Sequence, residues 1–176
     1  MKSISLSIIT TILAFNTVLA QNTVNNEPLF VSRNEQTNTC GYKNQNGELV
    51  IPEKYIICYT DTLHNYATVL DSLQGWIAID KNDFPLYQIF VYDNGPDYPS
   101  EGLFRIIIDE LIGYADYKTG MVVIPPQFRC AYPFEGESAK VAVNCTKIPS
   151  EDHFIWQSDY WYFINKQGKR IINSRK

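Results

Sequence analysis

From residue 40 onward, apolar residues come in short runs separated by polar clusters. The runs are β-branched or aromatic: Val50-Ile51, Ala67-Thr68-Val69-Leu70, Trp76-Ile77-Ala78-Ile79, Ile106-Ile107-Ile108, Val122-Val123-Ile124, Val141-Ala142-Val143 and Tyr162-Phe163-Ile164. Such side chains suit a pleated, half-buried surface, so each run predicts a strand. No stretch from residue 21 onward shows a strong helical period with caps, and no long helix is predicted. A short turn near Pro52 to Tyr55 or Pro126 to Phe128 is compatible with the pattern.

The polar clusters have a common form. Asn44-Gln45-Asn46-Gly47, Asp80-Lys81-Asn82-Asp83, Asp116-Tyr117-Lys118-Thr119-Gly120 and Asn165-Lys166-Gln167-Gly168 each open on Asn or Asp, and three of the four close on Gly. This is hairpin chemistry, because Gly accepts positive φ and Asx residues tolerate it. Asp83 replaces the closing Gly in the second cluster, so that turn is expected to differ. The next strand ends in Ile51-Pro52 or Ile124-Pro125-Pro126. Proline lacks a ladder donor, so it stops a strand or lies on an edge. A loop carrying Tyr55 or Phe128 follows. In the second and third copies, Ser100-Glu101-Gly102-Leu103 and Glu135-Gly136-Glu137-Ser138 then lead into a returning strand.

Phrases recur around these turns: Gly41-Tyr42-Lys43-Asn44, Gly75-Trp76-Ile77-Ala78-Ile79-Asp80, Gly113-Tyr114-Ala115-Asp116 and Trp161-Tyr162-Phe163-Ile164-Asn165. Aligned on glycine, Gly41, Gly75 and Gly113 stand 34 and 38 residues apart, and Tyr162 fills the same slot 49 residues further on. A period of this size marks a repeat architecture. The expected fold is all-β: three-stranded antiparallel meanders, about three full copies plus one partial. The copies lie near residues 40–70, 75–108, 112–143 and 160–173. An insertion covers 144–159. Residues 21–39 form a polar leading segment, with Leu29-Phe30-Val31 docking on the first copy.

The third copy, with Val123-Ile124-Pro125-Pro126-Gln127-Phe128, Ala131-Tyr132-Pro133-Phe134 and Glu135-Gly136, resembles the WG-repeat family. The preceding Tyr92-Asp93-Asn94-Gly95-Pro96-Asp97-Tyr98-Pro99-Ser100-Glu101-Gly102-Leu103 joins it. The resemblance spans roughly residues 40–173. It implies a repeat-built β protein used for binding or scaffolding, often exported or surface-associated, and it supplies no catalytic residue.

The first twenty residues read differently. Lys2 precedes an apolar stretch from Ile4 to Phe15, and Val18-Leu19-Ala20 offers small residues before Gln21, the pattern of a secretory signal peptide. The stretch is shorter than the roughly 20 residues a membrane span needs. The expectation is export to the periplasm or beyond, with no stable membrane insertion after cleavage. Net charge is −4, and the only Lys/Arg-rich stretch is the short tail from Lys166 to Lys176. This argues against nucleic acid or an anionic membrane surface as partner.

Cys40, Cys58, Cys130 and Cys145 include no Cys-x-x-Cys, which removes a zinc ribbon or thioredoxin-like site. An exported chain permits disulfides. Local pairing, Cys40 with Cys58 and Cys130 with Cys145, is the expectation among three connectivities, with buried free thiols as the open alternative.

The chain has 12 Tyr, 9 Phe and 3 Trp. Trp76, Tyr114 and Tyr162 recur at the copy starts and are assigned to packing. Trp156, Tyr160 and Trp161 lie in or beside the insertion, and Tyr92, Tyr98 and Phe104 flank a similar loop. These are the candidate binding residues, able to stack on a sugar ring or anchor a protein. Asp93, Asp97 and Glu101, and Glu135 with Glu137, form carboxylate groupings. Two carboxylates at a set separation would serve glycoside hydrolysis, and calcium takes such oxygens, but Asp93…Asp97 lacks the alternating pattern of a calcium loop. Turn formation and solvation are sufficient reasons for them. His64 and His153 are the only histidines, and no nucleophile elbow, His-Glu-x-x-His or phosphate-binding loop occurs. The expected function is an exported, non-catalytic binding or scaffolding module for a protein or cell-surface glycan, with no cofactor or metal. A hydrolase using loop carboxylates and a purely structural envelope protein are the alternatives.

Overall fold

A computed structural model of the chain describes residues 27–150 and 153–172, and every regular element among them is a strand. The signal-peptide reading of residues 1–20 lies outside the described residues. In chain order the strands are β1 (Leu29–Asn34), β2 (Thr39–Lys43), β3 (Leu49–Tyr55), β4 (Ile57–Cys58), β5 (Thr62–Leu63) and β6 (Ala67–Asp71). Next come β7 (Gly75–Ile79), β8 (Pro85–Ile89), β9 (Val91–Tyr92), β10 (Gly95–Pro96), β11 (Leu103–Ile108) and β12 (Leu111–Asp116). The last are β13 (Val122–Phe128), β14 (Cys130–Ala131), β15 (Ala139–Ala142), β16 (Thr146–Ser150), β17 (His153–Gln157) and β18 (Tyr162–Ile164).

The strands pair antiparallel in three main sheets. One has the order β3-β2-β1-β5, the largest β13-β12-β11-β8-β7-β6-β4, and the third β14-β15-β18. Strand β1 falls in the segment read as a polar leader. It pairs with β2 from Phe30 to Asn34, and Leu29, buried at its start, pairs with Leu63 of β5. The insertion 144–159 is itself a hairpin, β16 with β17.

Asx turns close the hairpins by a shared scheme, the third with one residue more than the others. The Oδ1 atoms of Asn44, Asp80, Asp116 and Asn165 each accept the backbone N–H two residues on. The backbone N–H groups of Gly47, Asp83, Gly120 and Gly168 return to the carbonyls of the same four residues. The second turn therefore does not differ as expected: Asp83 itself adopts φ +66, beside +82, +72 and +74 for the three glycines. Asp is among the residues that enter the left-handed region most readily. Its carboxylate is also held, by the Lys54 ammonium and the Tyr55 hydroxyl.

Counted from these turns, the repeat alignment changes. Asn44, Asp80 and Asp116 are 36 residues apart. Gly41, Gly113 and Tyr162 stand three residues before their Asx residue. In the second hairpin that slot belongs to Ile77, not Gly75. Gly75 is a turn residue with φ +74 and open space around it.

Gly41 and Gly113 answer a different need. A Cβ on Gly41 would lie 2.3 Å from the Ile51 carbonyl oxygen and 2.4 Å from that of Pro52. On Gly113 it would lie 2.5 Å from the Ile124 carbonyl oxygen and 2.6 Å from the Pro126 nitrogen. The register shifts there: Cys40 pairs with Tyr55 but Tyr42 with Ile51, and Ile112 pairs with Phe128 but Tyr114 with Ile124. Three residues on the proline strand thus oppose a single glycine, a bulge larger than the usual two against one, which bends the strand. The prolines do not end their strands. Strands β3 and β13 run through them at the sheet edges, where a missing donor costs no ladder bond. Tyr55 and Phe128 are not loop residues but the buried last residues of these strands, so no turn forms at either proline.

The bulges decide the sheet order. After β3 and β13 the chain steps into a neighbouring sheet, where β4 pairs with β6 and β14 with β15. At Ile77 the bulge is absent, and β7 and β8 remain beside β11 in one continuous sheet. Tyr42 and Tyr114, next to the two glycines, are buried, and their hydroxyls donate to the carbonyls of Thr60 and Tyr132 at 2.7 Å.

The cysteines pair locally as expected. Cys40 and Cys58 are bonded with Cα atoms 6.0 Å apart, and Cys130 and Cys145 with Cα atoms 5.9 Å apart. The first bond ties β2 to β4 across the step between sheets. The second ties β14 to the foot of the inserted hairpin.

Two outcomes follow. Gly41→Ala should cost about 1–3 kcal/mol in urea unfolding through overpacking, whereas Gly75→Asn should stay within about 0.5 kcal/mol; equal costs would place the constraint elsewhere. Serine at both Cys40 and Cys58 should cost about 3 kcal/mol from the loop entropy released. An unchanged midpoint would mean that the bond does not hold the first two sheets together.

Candidate functional site

The described surface has a cleft of about 410 Å³ over one end of the largest sheet. This lies within the roughly 300–1,000 Å³ typical of small-ligand sites. Its lining comes from the segment 59–66 that carries β5, Thr68 on β6, Ile89 on β8, the segment 96–99 around β10, Phe104 on β11, and Tyr117-Lys118 in the third Asx turn.

The floor is aromatic. Tyr66 stacks on Phe104 with centroids 5.9 Å apart and ring planes at 9°, and Tyr117 meets Phe104 edge-on at 6.3 Å. The Tyr66 hydroxyl donates to the Tyr117 carbonyl at 2.8 Å. Burial, reinforced by Tyr117 and Asp116, raises the Tyr66 phenol above the ordinary tyrosine range. Gly120 seats this ring, since a Cβ there would lie 2.5 Å from it. The same glycine's carbonyl accepts the Tyr87 hydroxyl at 2.7 Å.

The rim is also aromatic, but exposed. Tyr59, Tyr98 and Tyr117 are 53, 64 and 51% accessible. Tyr59 is braced by Trp76, edge-on at 5.9 Å. Thr62, His64, Asn65 and Lys118 add polar atoms between the rings.

One wall rests on a buried ion pair. The Arg105 backbone N–H and Nε donate to Asp97 Oδ2, both at 2.9 Å, and its Nη2 reaches Oδ1. Its Nη1 donates to the Ala131 carbonyl at 3.2 Å, and the guanidinium lies 4.0 Å from the Phe90 ring centroid. Both charged side chains are almost wholly buried. The bidentate fork fixes residues 97–99 against β11, and so sets the position of Tyr98.

The sequence candidates divide between separate places. Tyr98 and Phe104 enter the cleft together with Asp97 and His64. Tyr92 lies outside it on β9, exposed, with the Arg105 guanidinium 5.9 Å from its ring. Trp156 is half-buried, edge-on to Phe90 at 5.8 Å and to Tyr132 at 5.2 Å, and it docks the inserted hairpin on the core. Trp161 packs on Tyr132 at 5.5 Å with the Lys140 ammonium 4.7 Å from its ring. Tyr160 is exposed and has no ring partner among the described residues. Trp161 is not off-pattern: it stands four residues before Asn165, as Trp76 stands before Asp80, and both pack on a tyrosine just beyond a short strand.

The carboxylates are not paired with one another. Both Asp97 oxygens face Arg105. Glu101 binds the Lys166 ammonium at 3.1 Å and caps the Glu137 N–H. The Lys166 hydrogen bond holds the Glu101 carboxyl below its ordinary range. Glu137 contacts the same lysine, Asp93 forms the turn between β9 and β10, and Glu135 closes a turn with Ser138. The His153 side chain lies outside the described residues. Among the described residues no cluster of His, Cys, Asp and Glu could hold a metal ion.

Comparison with protein-family models, curated proteins and solved structures gives no match for this chain. The likeness to WG-repeat proteins therefore rests on the chain's own phrases.

Tyr59, Tyr66 and Tyr117 were not singled out by sequence. Tyr117 carried a signal, because the residue after an Asx turn opener points to solvent. Tyr59 and Tyr66 carried none, since tyrosines at strand ends are equally often core.

Arg105→Met should destabilise the fold by roughly 3–5 kcal/mol, because it strands the Asp97 charge. Combining it with Asp97→Leu should recover much of that loss in thermal unfolding. Additive losses would mean that the two side chains act independently.

Proposed function

We propose that the chain is an exported, non-catalytic binding module of WG-repeat type. It engages its partner through the loops that follow the proline strands. The observation that carries this is the cleft: the loop after β3 and β4, the segment before β11 and the third Asx turn converge on exposed tyrosines. Four Asx turns, three with the same hydrogen bonds and one a residue longer, support the repeat reading. Each of the first three lies in a trio of antiparallel strands: β1-β2-β3, β6-β7-β8 and β11-β12-β13. A repeat array of this kind holds its scaffold and varies the loops on one face. The two disulfides are compatible with export. The hydrolase alternative has less support, because Asp97 and Glu101 are each engaged by a cation.

The full chain, expressed in a host with a secretory pathway, should be recovered outside the cytoplasm with its N-terminus at Gln21 and no titratable thiol. Labelled protein should then coat intact cells of the source organism, and alanine at both Tyr59 and Tyr98 should remove the coating. Retention in the cytoplasm as reduced protein, or coating indifferent to both changes, would contradict the proposal.

A further inference from the structure

The cleft is built for a particular ligand chemistry, and this inference rests on the binding-module reading. We infer that it holds a short, uncharged oligosaccharide, with sugar rings laid on the tyrosines of its rim.

Three features point to this class. The first is the form of the apolar surface. Tyr59, Tyr98 and Tyr117 line the cleft as exposed rings, while Tyr66 and Phe104 stack on each other among them. Exposed aromatic rings suit the C–H face of a pyranose. An aliphatic side chain would call for a deep apolar hole, and here the stack already fills that space. Tyrosine is rigid, with two side-chain torsions, so ordering it against a ligand costs little entropy.

The second is unused hydrogen-bonding capacity. The Tyr66 hydroxyl is spent on the Tyr117 carbonyl. The hydroxyls of Tyr59, Tyr98 and Tyr117 make no hydrogen bond within the described protein. Each pairs an apolar face with a free donor and acceptor at its edge, which matches the alternation of C–H and O–H around a sugar ring.

The third is charge. Asp97 is neutralised by Arg105 below the surface. Asp61 faces Arg33 at 3.8 Å on the outer side, and Lys118 is the cation of the opposite rim. The opposing charges leave no excess to recruit an anionic polymer, and the chain as a whole is at −4. A uronate or phosphate-bearing glycan would meet repulsion without a compensating basic cluster.

The test uses the full oxidised chain and its Tyr98→Ala and Tyr117→Ala variants. Probes are neutral gluco-, manno-, xylo- and chito-oligosaccharides, a polyuronate, and a proline-rich peptide as the competing occupant. Binding is read by calorimetry, and melting confirms that each variant is folded. At least one neutral series should bind, and each variant should weaken it about tenfold, near 1.4 kcal/mol. The polyuronate should bind more weakly than the neutral series. Preference for the polyuronate, or neutral binding unaffected by both variants, overturns the assignment. If only the peptide binds and Tyr98→Ala abolishes it, the sugar assignment fails while the binding-module reading stands. If no probe binds and cell coating is also absent, both fail together.

Discussion

Two backbone crossings organise the molecule. Where a strand containing Ile-Pro passes over Gly41 or Gly113, no room remains for a side chain, and a bulge bends the strand away from its sheet. The chain then begins a new sheet with a two-residue strand. At Ile77, where the crossing does not occur, the sheet continues. The order of four, seven and three strands is thus set by which copies carry glycine at one slot. The Cys40–Cys58 bond and the Tyr42 hydroxyl, both beside the first crossing, fasten the step between sheets.

The cleft follows from the first of these steps. Strand β4 joins the large sheet beside β6, and the segment from Tyr59 then crosses back to the first sheet, where β5 pairs with β1, so it bridges the two sheets at one end. There it meets the segment that Arg105 and Asp97 hold in place, and the third Asx turn closes the far side through Tyr66 and Gly120. Each part is an ordinary turn or strand end. Their combination at one end of the sheet leaves three tyrosines open to solvent.

Much of this was legible locally. Strand runs, Asx turns and disulfide pairing depend on neighbours in sequence, and the residues announced them. Aligning on glycine misplaced the second copy by two residues, because Gly75 and Gly41 serve opposite purposes: one supplies positive φ, the other an absent Cβ. The Asx oxygens are the better anchor, and from them Trp161 falls into the Trp76 slot instead of standing outside the pattern. The cleft was not legible for a different reason. Tyr66 and Tyr117 are 51 residues apart, and nothing local distinguishes a tyrosine bound for a rim from one bound for the core. The insertion drew attention because it broke the pattern. Its Trp156 proves to be the residue that seats the hairpin.

On the proposed reading the partner is held between residues 59–66 and 96–99 and not by the inserted hairpin. Tyrosine-selective covalent labelling of the full chain, with and without cell-envelope material from the source organism, separates the two most directly. Tyr59, Tyr98 and Tyr117 should be labelled in the free protein and protected in the complex, while Tyr160 and Tyr92 remain reactive in both. Protection of Tyr160 and Tyr92 with the three cleft tyrosines still open would contradict it.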